Sequence, residues 1–139
     1  TTSASALELP LETTANGRIT ANTAAWFRFA AKARQRIFVR VEARELDSRL
    51  VPDLTVTDTD GRELALARRR QWLDFTAPTN GSYLLKLHDQ TFRGGDDFHF
   101  RLTLTTTAQL DFALPNVLRA GETNRVTLFG RNLTGGQPG

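Results

Sequence analysis

The first group of side chains with a chemistry of its own is the acidic turn DTDG, residues 58–61. Its spacing is that of the beginning of a calcium-binding loop. An EF-hand loop also needs a bidentate glutamate at its twelfth position, and counted from Asp58 that position is Arg69. Since Asp-Gly is also a strong hairpin signal, the segment predicts a turn between two strands and not a metal site.

A second acidic group, Asp89, Asp96 and Asp97, flanks the pair Gly94-Gly95. Carboxylates from separate loops can hold calcium together, so these three residues are the metal candidates of the chain. A solvated acidic loop is the simpler interpretation. We therefore expect no resident cofactor, with calcium as the alternative.

The third group is an arginine triplet followed closely by a tryptophan, Arg68, Arg69, Arg70 and Trp72. Arginines can contact phosphates and an indole can stack on a base, so the group is of a kind found in nucleic-acid-binding proteins. Such proteins usually carry a broader basic face with several aromatic residues. The simpler interpretation is a charged edge that discourages strand-to-strand aggregation, and no specific nucleic acid is expected as a partner.

Alternation decides where the two tryptophans point. In QWLDFT, residues 71–76, it turns the leucine and the phenylalanine inward and Trp72 outward, and in WFRF, residues 26–29, it turns the phenylalanines inward and Trp26 outward. Outward tryptophans commonly grip sugar rings or an apolar partner surface, although Trp26 could instead cover an open end of the fold. The candidate ligand contacts are therefore Trp72, Arg69, Arg70 and Trp26.

Catalysis has no support in the sequence. There is no cysteine, and neither GxSxG nor HExxH occurs. His88 and His99 fall on polar faces of predicted strands, without a spaced acid and nucleophile. We therefore expect a protein that is not an enzyme and has no catalytic residue.

Composition adds weak constraints. The chain has 139 residues and a net charge of +3 with a pI near 10.2, a high value that reflects its many arginines. No apolar stretch approaches the roughly 20 residues that span a bilayer. The chain begins without methionine and without the pattern of a signal peptide, so we expect a mature or excised piece of a longer product.

In the elements that must position these residues, apolar and polar side chains alternate with a period of two residues. Alternation is clearest in residues 36–44, RIFVRVEAR, and in 98–104, FHFRLTL, and it predicts strands. One helical turn is expected before Pro52. Further strands are predicted at 6–12, 17–20, 26–29, 53–57, 63–67, 71–76 and 82–87, with turns at Asn16-Gly17, Asp60-Gly61, Asn80-Gly81 and Gly94-Gly95. The chain is predicted to be all-β, with the turn spacing of a β-sandwich.

The pattern changes near Thr105. Residues 1–107 are predicted to form one domain, and residues 108–139 begin a new pattern with Val126, Leu128 and Leu133 inward. About 30 residues in two or three strands cannot bury their own face. Either these strands join the first domain or, as we prefer, they begin a second domain.

A family resemblance covers residues 6 to 106. The segments LPLETTANGRI, AWFRFAAKARQ, DTDGREL and TAPTNGSYLL follow in the order of the bacterial pre-peptidase C-terminal domain, which the chain resembles. The resemblance implies a jelly-roll-like antiparallel β-sandwich, an accessory module of secreted bacterial proteins, often beside peptidases. Some of its relatives bind collagen or other extracellular polymers. The tail PNVLRAGETNRVTLFGRNLTGG resembles the opening of an immunoglobulin-like domain of the IPT/TIG kind.

Two positions depart from the family pattern. Asn22, Thr23, Ala24 and Ala25 stand where the family commonly has acids, which removes any metal or polar role of those acids. Arg34 stands where glycine is usual, which suggests a different turn or a right-handed conformation.

The expected function is that of a non-catalytic module of a secreted or cell-surface bacterial protein, which binds an extracellular polysaccharide or protein. The alternative is a structural spacer or folding aid for an attached peptidase or other extracellular enzyme, without a ligand of its own. In either case, neighbouring domains of the same polypeptide are the expected partners. No membrane span is expected.

Overall fold

The structure, a computed structural model, describes residues 3–133. The chain divides into two compact units, Thr1–Thr106 and Thr107–Gly139. No described residue belongs to a helix long and apolar enough to cross a membrane.

Two packed β-sheets make up the first unit. The larger sheet contains β1 (Leu7–Glu8), β3 (Ala25–Ala31), β5 (Pro52–Asp58), β6 (Glu63–Arg68) and β8 (Gly81–Asp89), in the order β1-β3-β8-β5-β6. The smaller sheet contains β2 (Thr13–Arg18), β4 (Arg36–Glu42), β7 (Trp72–Thr76) and β9 (His99–Thr105), in the order β2-β9-β4-β7. All pairs are antiparallel except β1 with β3. The predicted all-β sandwich is confirmed, and each of the nine predicted strand segments overlaps one of these strands.

The core lies between the sheets and is built from the inward positions of the alternating strands. Phe29, Phe75 and Tyr83 pack as an aromatic cluster, with ring centroids 5.1 to 6.2 Å apart. Burial of such large rings supplies much of the hydrophobic stabilisation of a small sandwich. The Tyr83 hydroxyl donates a 2.6 Å hydrogen bond to the Thr79 carbonyl, as expected for a core tyrosine bonded to backbone.

Turns and short helices follow the local signals with two exceptions. The hairpin at Asp60-Gly61 joins β5 to β6, and a 3-10 turn at Arg44–Leu46 precedes Pro52, as predicted. The predicted turn at Asn16-Gly17 is wrong, because both residues lie inside β2. Gly17 is needed there since the Phe100 ring of β9 packs over it, where a Cβ would come within 2.6 Å of the ring.

Arg34 is the second exception. Its φ is +66°, the left-handed conformation that glycine adopts freely, and its N–H donates to the Ala77 carbonyl at 2.8 Å. The expectation of a different turn or a right-handed conformation is therefore wrong. The hydrogen bond fixes the backbone, and the arginine side chain is tolerated there.

In the second unit, β10 (Gln109–Leu114) and β11 (Thr127–Arg131) form a separate antiparallel two-stranded sheet. Phe112 stacks on Phe129 with a centroid distance of 4.5 Å. Val126 and Leu128, expected to point inward, are 38% and 54% exposed, and Leu133 is half-buried. Among the residues described, this unit has no second layer of structure that could cover the two exposed side chains. Its assignment to an immunoglobulin-like domain stays a prediction.

Candidate ligand-binding edge of the sandwich

The candidate residues of the arginine triplet lie where the two sheets meet at one side of the sandwich. β6 is the last strand of the larger sheet and β7 is the last strand of the smaller one. Residues 69–71 connect them and cross from one sheet to the other; we call this connection the arginine turn. The chain therefore presents two strand edges and a basic turn side by side.

Hydrogen bonds hold the backbone of the arginine turn. Arg69 has a φ of +57°, and its N–H donates to a carboxylate oxygen of the nearly buried Asp53 at 2.8 Å. The Gln71 carbonyl accepts a 2.6 Å hydrogen bond from Val41, and the Gln71 amide donates to Glu45 at 2.8 Å. The Arg69 and Arg70 side chains are exposed, so the turn offers cations from a fixed backbone.

The Glu45 carboxylate next to the turn stays ionised. A hydrogen bond from its own backbone N–H, and more weakly the one from Gln71, lowers the pKa of Glu45 below its ordinary value. Its charge is therefore present throughout the neutral range.

Trp72 points outward, as the alternation predicts, while Leu73 and Phe75 are buried. Its indole is 37% exposed and stacks against Phe38 on β4, with centroids 6.3 Å apart and planes 29° apart. The guanidinium carbon of Arg70 lies 5.3 Å from the indole centroid. Such a cation–π contact and the aromatic stacking hold the ring in place.

The sequence pattern does not predict the role of Phe38. It stands on the outer face of β4, between the inward Ile37 and Val39, yet it is only 6% exposed. The only sequence signal for an apolar spot on this face was an aromatic residue at a position where the alternation of the strand predicts a polar one.

Two grooves adjoin Trp72. One, of about 720 Å³, lies between β6 and β7, where Ala65 and Ala67 leave room because their side chains are small. The other, of about 380 Å³, lies on the far side of the arginine turn, and Arg69, Arg70 and Trp72 belong to its lining together with Arg44 and Arg49. The structure therefore joins three of the four predicted ligand contacts on one surface.

Trp26, the fourth, lies apart from that surface. It stands on β3 of the larger sheet, is half-buried, and has the Lys86 ammonium 5.6 Å from its ring centroid. It lines neither of the two grooves beside Trp72.

Sequence reasoning also missed the exposed Phe92. This residue has a φ of +56°, is 42% exposed, and stacks on His88 with centroids 4.3 Å apart and planes nearly parallel. With Leu66, Arg68 and Arg69 it lines a third groove of about 460 Å³ on the larger sheet. Only the fold brings this loop next to the arginine turn.

The weak metal candidates have separate structural roles. Asp89 is fully buried rather than solvated, and its carboxylate accepts hydrogen bonds from the backbone N–H groups of Val51, Thr91 and Arg93 at 3.0 to 3.2 Å and from the Thr91 hydroxyl at 2.8 Å. Burial alone raises the pKa of Asp89, but these hydrogen bonds outweigh it and the pKa is lowered.

The other acidic residues are arranged differently. Asp96 pairs with Arg18, and the Asp97 backbone carbonyl accepts the Arg49 N–H at 2.8 Å. At the DTDG turn, the Asp58 carboxylate accepts the N–H groups of Asp60 and Arg62, as a turn aspartate does. Within residues 3–133, no three or more His, Asp or Glu side chains are grouped closely enough to hold a metal ion.

Comparison with known proteins gives a likeness in structure only. No protein-family model and no curated protein matches the sequence. Among solved structures, the pre-peptidase C-terminal domain of collagenase from Bacillus anthracis is similar with a TM-score of 0.56, over 71% of this chain and 93% of that domain. The sandwich has the fold of a pre-peptidase C-terminal domain.

The pre-peptidase C-terminal fold implied by the sequence motifs is thus confirmed. The sequence identity to the collagenase domain is 14%, so the likeness shows the fold and assigns no ligand. A periplasmic inhibitor of g-type lysozyme from Aeromonas hydrophila is also similar, with a TM-score of 0.52 and 14% identity over 70% of this chain and 95% of the inhibitor. The comparison therefore shows the fold of this chain and assigns no function to the β6–β7 edge.

Proposed function

We propose that this chain is a non-catalytic accessory module of a secreted bacterial protein and that it binds an extracellular polymer at the β6–β7 edge. The observation that carries the proposal is Trp72, which remains 37% exposed beside two grooves while Phe38 and Arg70 hold its ring. The fold supports the accessory role, since the similar solved structures are a collagenase domain and a periplasmic inhibitor.

The form of the surface favours a polymer over a small molecule. The grooves are open and adjoin one another through residues they share, Arg70 and Trp72, so an extended chain can follow them. A ring that is already held in position loses little conformational entropy when a ligand stacks on it. Tryptophan supplies a large contact area of this kind, and tryptophans dominate many binding surfaces.

The test is retention of the 139-residue chain on insoluble cellulose, chitin, peptidoglycan and collagen. We expect retention on at least one polymer, and we expect Trp72→Ala to weaken it about tenfold or more, as loss of a central tryptophan does. Trp26→Ala is the matched control, because it also removes an indole but lies outside both grooves. Urea unfolding of both variants checks that the fold is intact.

A structural spacer is the second candidate. The observation that favours it is the second compact unit directly after the sandwich in the same chain. A spacer binds none of the polymers, and its deletion lowers the secreted yield of the parent protein. Equal retention of wild type and Trp72→Ala on every polymer contradicts the proposed binding edge.

A further inference from the structure

The arginines of this chain that lack an ion pair within the described residues are concentrated at one edge of the sandwich. Among residues 3–133, eight arginines lie within ion-pair distance of a carboxylate, at positions 18, 28, 36, 40, 93, 101, 119 and 131. Of the eight other arginines, five surround the β6–β7 edge and have no carboxylate within that distance in the described part of the chain. We call them the arginine cluster: Arg44, Arg49, Arg68, Arg69 and Arg70.

The fold assembles this cluster from two separate segments. Arg44 begins the 3-10 turn after β4 and Arg49 follows that turn, whereas the other three follow one another at the end of β6. Arg44, Arg49, Arg69 and Arg70 line the same groove of about 380 Å³, and that groove has no acidic residue in its lining. All five side chains are exposed. Like charges gathered in this way repel one another and produce a positive potential that attracts anions.

Three nearby acids bind other partners, and a fourth, Glu63, lines the third groove with Arg68 and Arg69. Asp74 accepts three hydrogen bonds from the Arg36 side chain, at 2.5 to 3.1 Å, which raise the pKa of Arg36. Asp53 accepts the backbone N–H of Arg69, and Glu45 accepts the amide of Gln71. Asp53 and Glu45 thus position the turn, and none of the three carboxylates forms an ion pair with the five guanidinium groups in the described part of the chain.

We propose, building on the polymer-binding role above, that the ligand of this edge is a linear polysaccharide that carries carboxylate groups. A guanidinium group presents a planar fork that matches a carboxylate in two parallel hydrogen bonds. Trp72, 37% exposed in the same groove, adds apolar contact area for a sugar ring, and Gln71 lines the groove as a polar neighbour.

Nucleic acid fits this surface less well than a uronate polymer. Single-stranded nucleic acids are held by several aromatic platforms on which successive bases stack. Within the described chain, Trp72 is the one aromatic residue in the lining of the two grooves that adjoin it, and Phe92 of the third groove is already stacked on His88. One indole among several cations instead matches a polymer whose sugar rings carry acidic groups.

The experiment compares the binding of the 139-residue chain to soluble polygalacturonate and to its methyl ester, which has the same backbone without the charge. We expect the ester to bind about tenfold more weakly or worse, because each lost charge-assisted hydrogen bond is worth about a factor of ten. Binding to polygalacturonate should also weaken as salt rises from low to physiological concentration.

Two double variants test the position of the charges. Arg49→Gln with Arg70→Gln is expected to reduce affinity for polygalacturonate about tenfold or more. Arg34→Gln with Arg62→Gln removes the same charge from exposed arginines outside the grooves and should retain nearly wild-type affinity. Equal losses in the two double variants overturn the assignment of the cluster as the contact.

The remaining outcomes separate the two proposals. Equal binding of polygalacturonate and its ester, or retention on collagen or chitin without any binding of polygalacturonate, overturns the uronate ligand and leaves the polymer-binding role standing. Equally tight binding of single-stranded DNA or polyglutamate also overturns it, since the surface then recognises charge alone. Failure to bind any polymer removes both proposals.

Discussion

Asp89 shows how a single buried carboxylate can organise loops that are distant in sequence. It lies at the end of β8, fully buried, and four hydrogen bonds reach it from Val51, Thr91 and Arg93. A charged group in such a place is tolerated because its hydrogen bonds replace those of water. The segment before β5 is thereby tied to the loop that carries Phe92.

We predict that Asp89→Asn lowers the free energy of unfolding at pH 7 by about 2 to 4 kcal/mol, because an amide nitrogen cannot accept from the donors that it would face. The measurement is urea unfolding. Asp97→Asn is the control, since its exposed side chain should change stability by about 0.5 kcal/mol or less.

The same substitution has a pH signature. The pKa of Asp89 is lowered from 3.8 in the folded state, so its contribution is fully present above the ordinary pKa and is lost as pH falls below about 4 through the folded value. The stability of wild type should therefore drop more steeply in this acidic range than that of Asp89→Asn. Parallel pH curves for the two proteins contradict this role.

At the scale of elements, the contacts between strands and loops depend on two glycines that local sequence signals treat as turn residues. Gly17 makes room for the Phe100 ring, as described above. Gly94 lies against the chain that leaves β2, where a Cβ would come within 2.3 Å of the Thr20 carbonyl carbon and 2.4 Å of the Ala21 nitrogen. Backbone atoms cannot rotate away as a side chain can, so Gly94 is required by packing.

We predict that Gly94→Ala lowers the free energy of unfolding by about 2 kcal/mol or more, because the added methyl group forces two backbone segments apart. Gly81→Ala is the matched control. A Cβ at Gly81 meets nothing within 4 Å, so the change should be about 0.5 kcal/mol or less. Chemical denaturation of both variants tests this prediction. Equal denaturation midpoints for the two variants would show that the loop around Gly94 moves freely.

At the scale of the molecule, the hydrophobic core belongs to the first unit. Every residue of the buried core cluster lies between Leu9 and Leu104. Seven strands of the two packed sheets, β3 to β9, contribute residues to it, and Leu9 and Ile19 join it directly after β1 and β2. We therefore expect this unit to carry its own stability.

The prediction is that a chain shortened after Thr106 folds and unfolds in one cooperative transition, with a urea midpoint close to that of the 139-residue chain. A domain of about 100 residues is large enough for independent folding. Circular dichroism and urea unfolding provide the measurement. A shortened chain that is unfolded, or that loses most of its stability, contradicts the independence of the first unit.

Local patterns in the sequence determined the strand segments, the DTDG hairpin, the inward Leu73 and Phe75, and the outward Trp72. These follow from short-range physics, since alternation and turn chemistry act over a few neighbouring residues. The motifs also led to the pre-peptidase C-terminal fold. Arg69, Arg70 and Trp72 could be selected together for the same reason, because four consecutive positions contain all three.

Only the tertiary structure decided which distant residues share a surface or a core. It placed Arg44 and Arg49 beside the arginine turn, buried Asp89 and Phe38, and separated Trp26 from Trp72. Strand pairing is the physical reason: β4 pairs with β7, and β8 pairs with β3 and β5, so neighbours in space are far apart in sequence. No local pattern encodes these pairings, which arise when two sheets bury their apolar faces together.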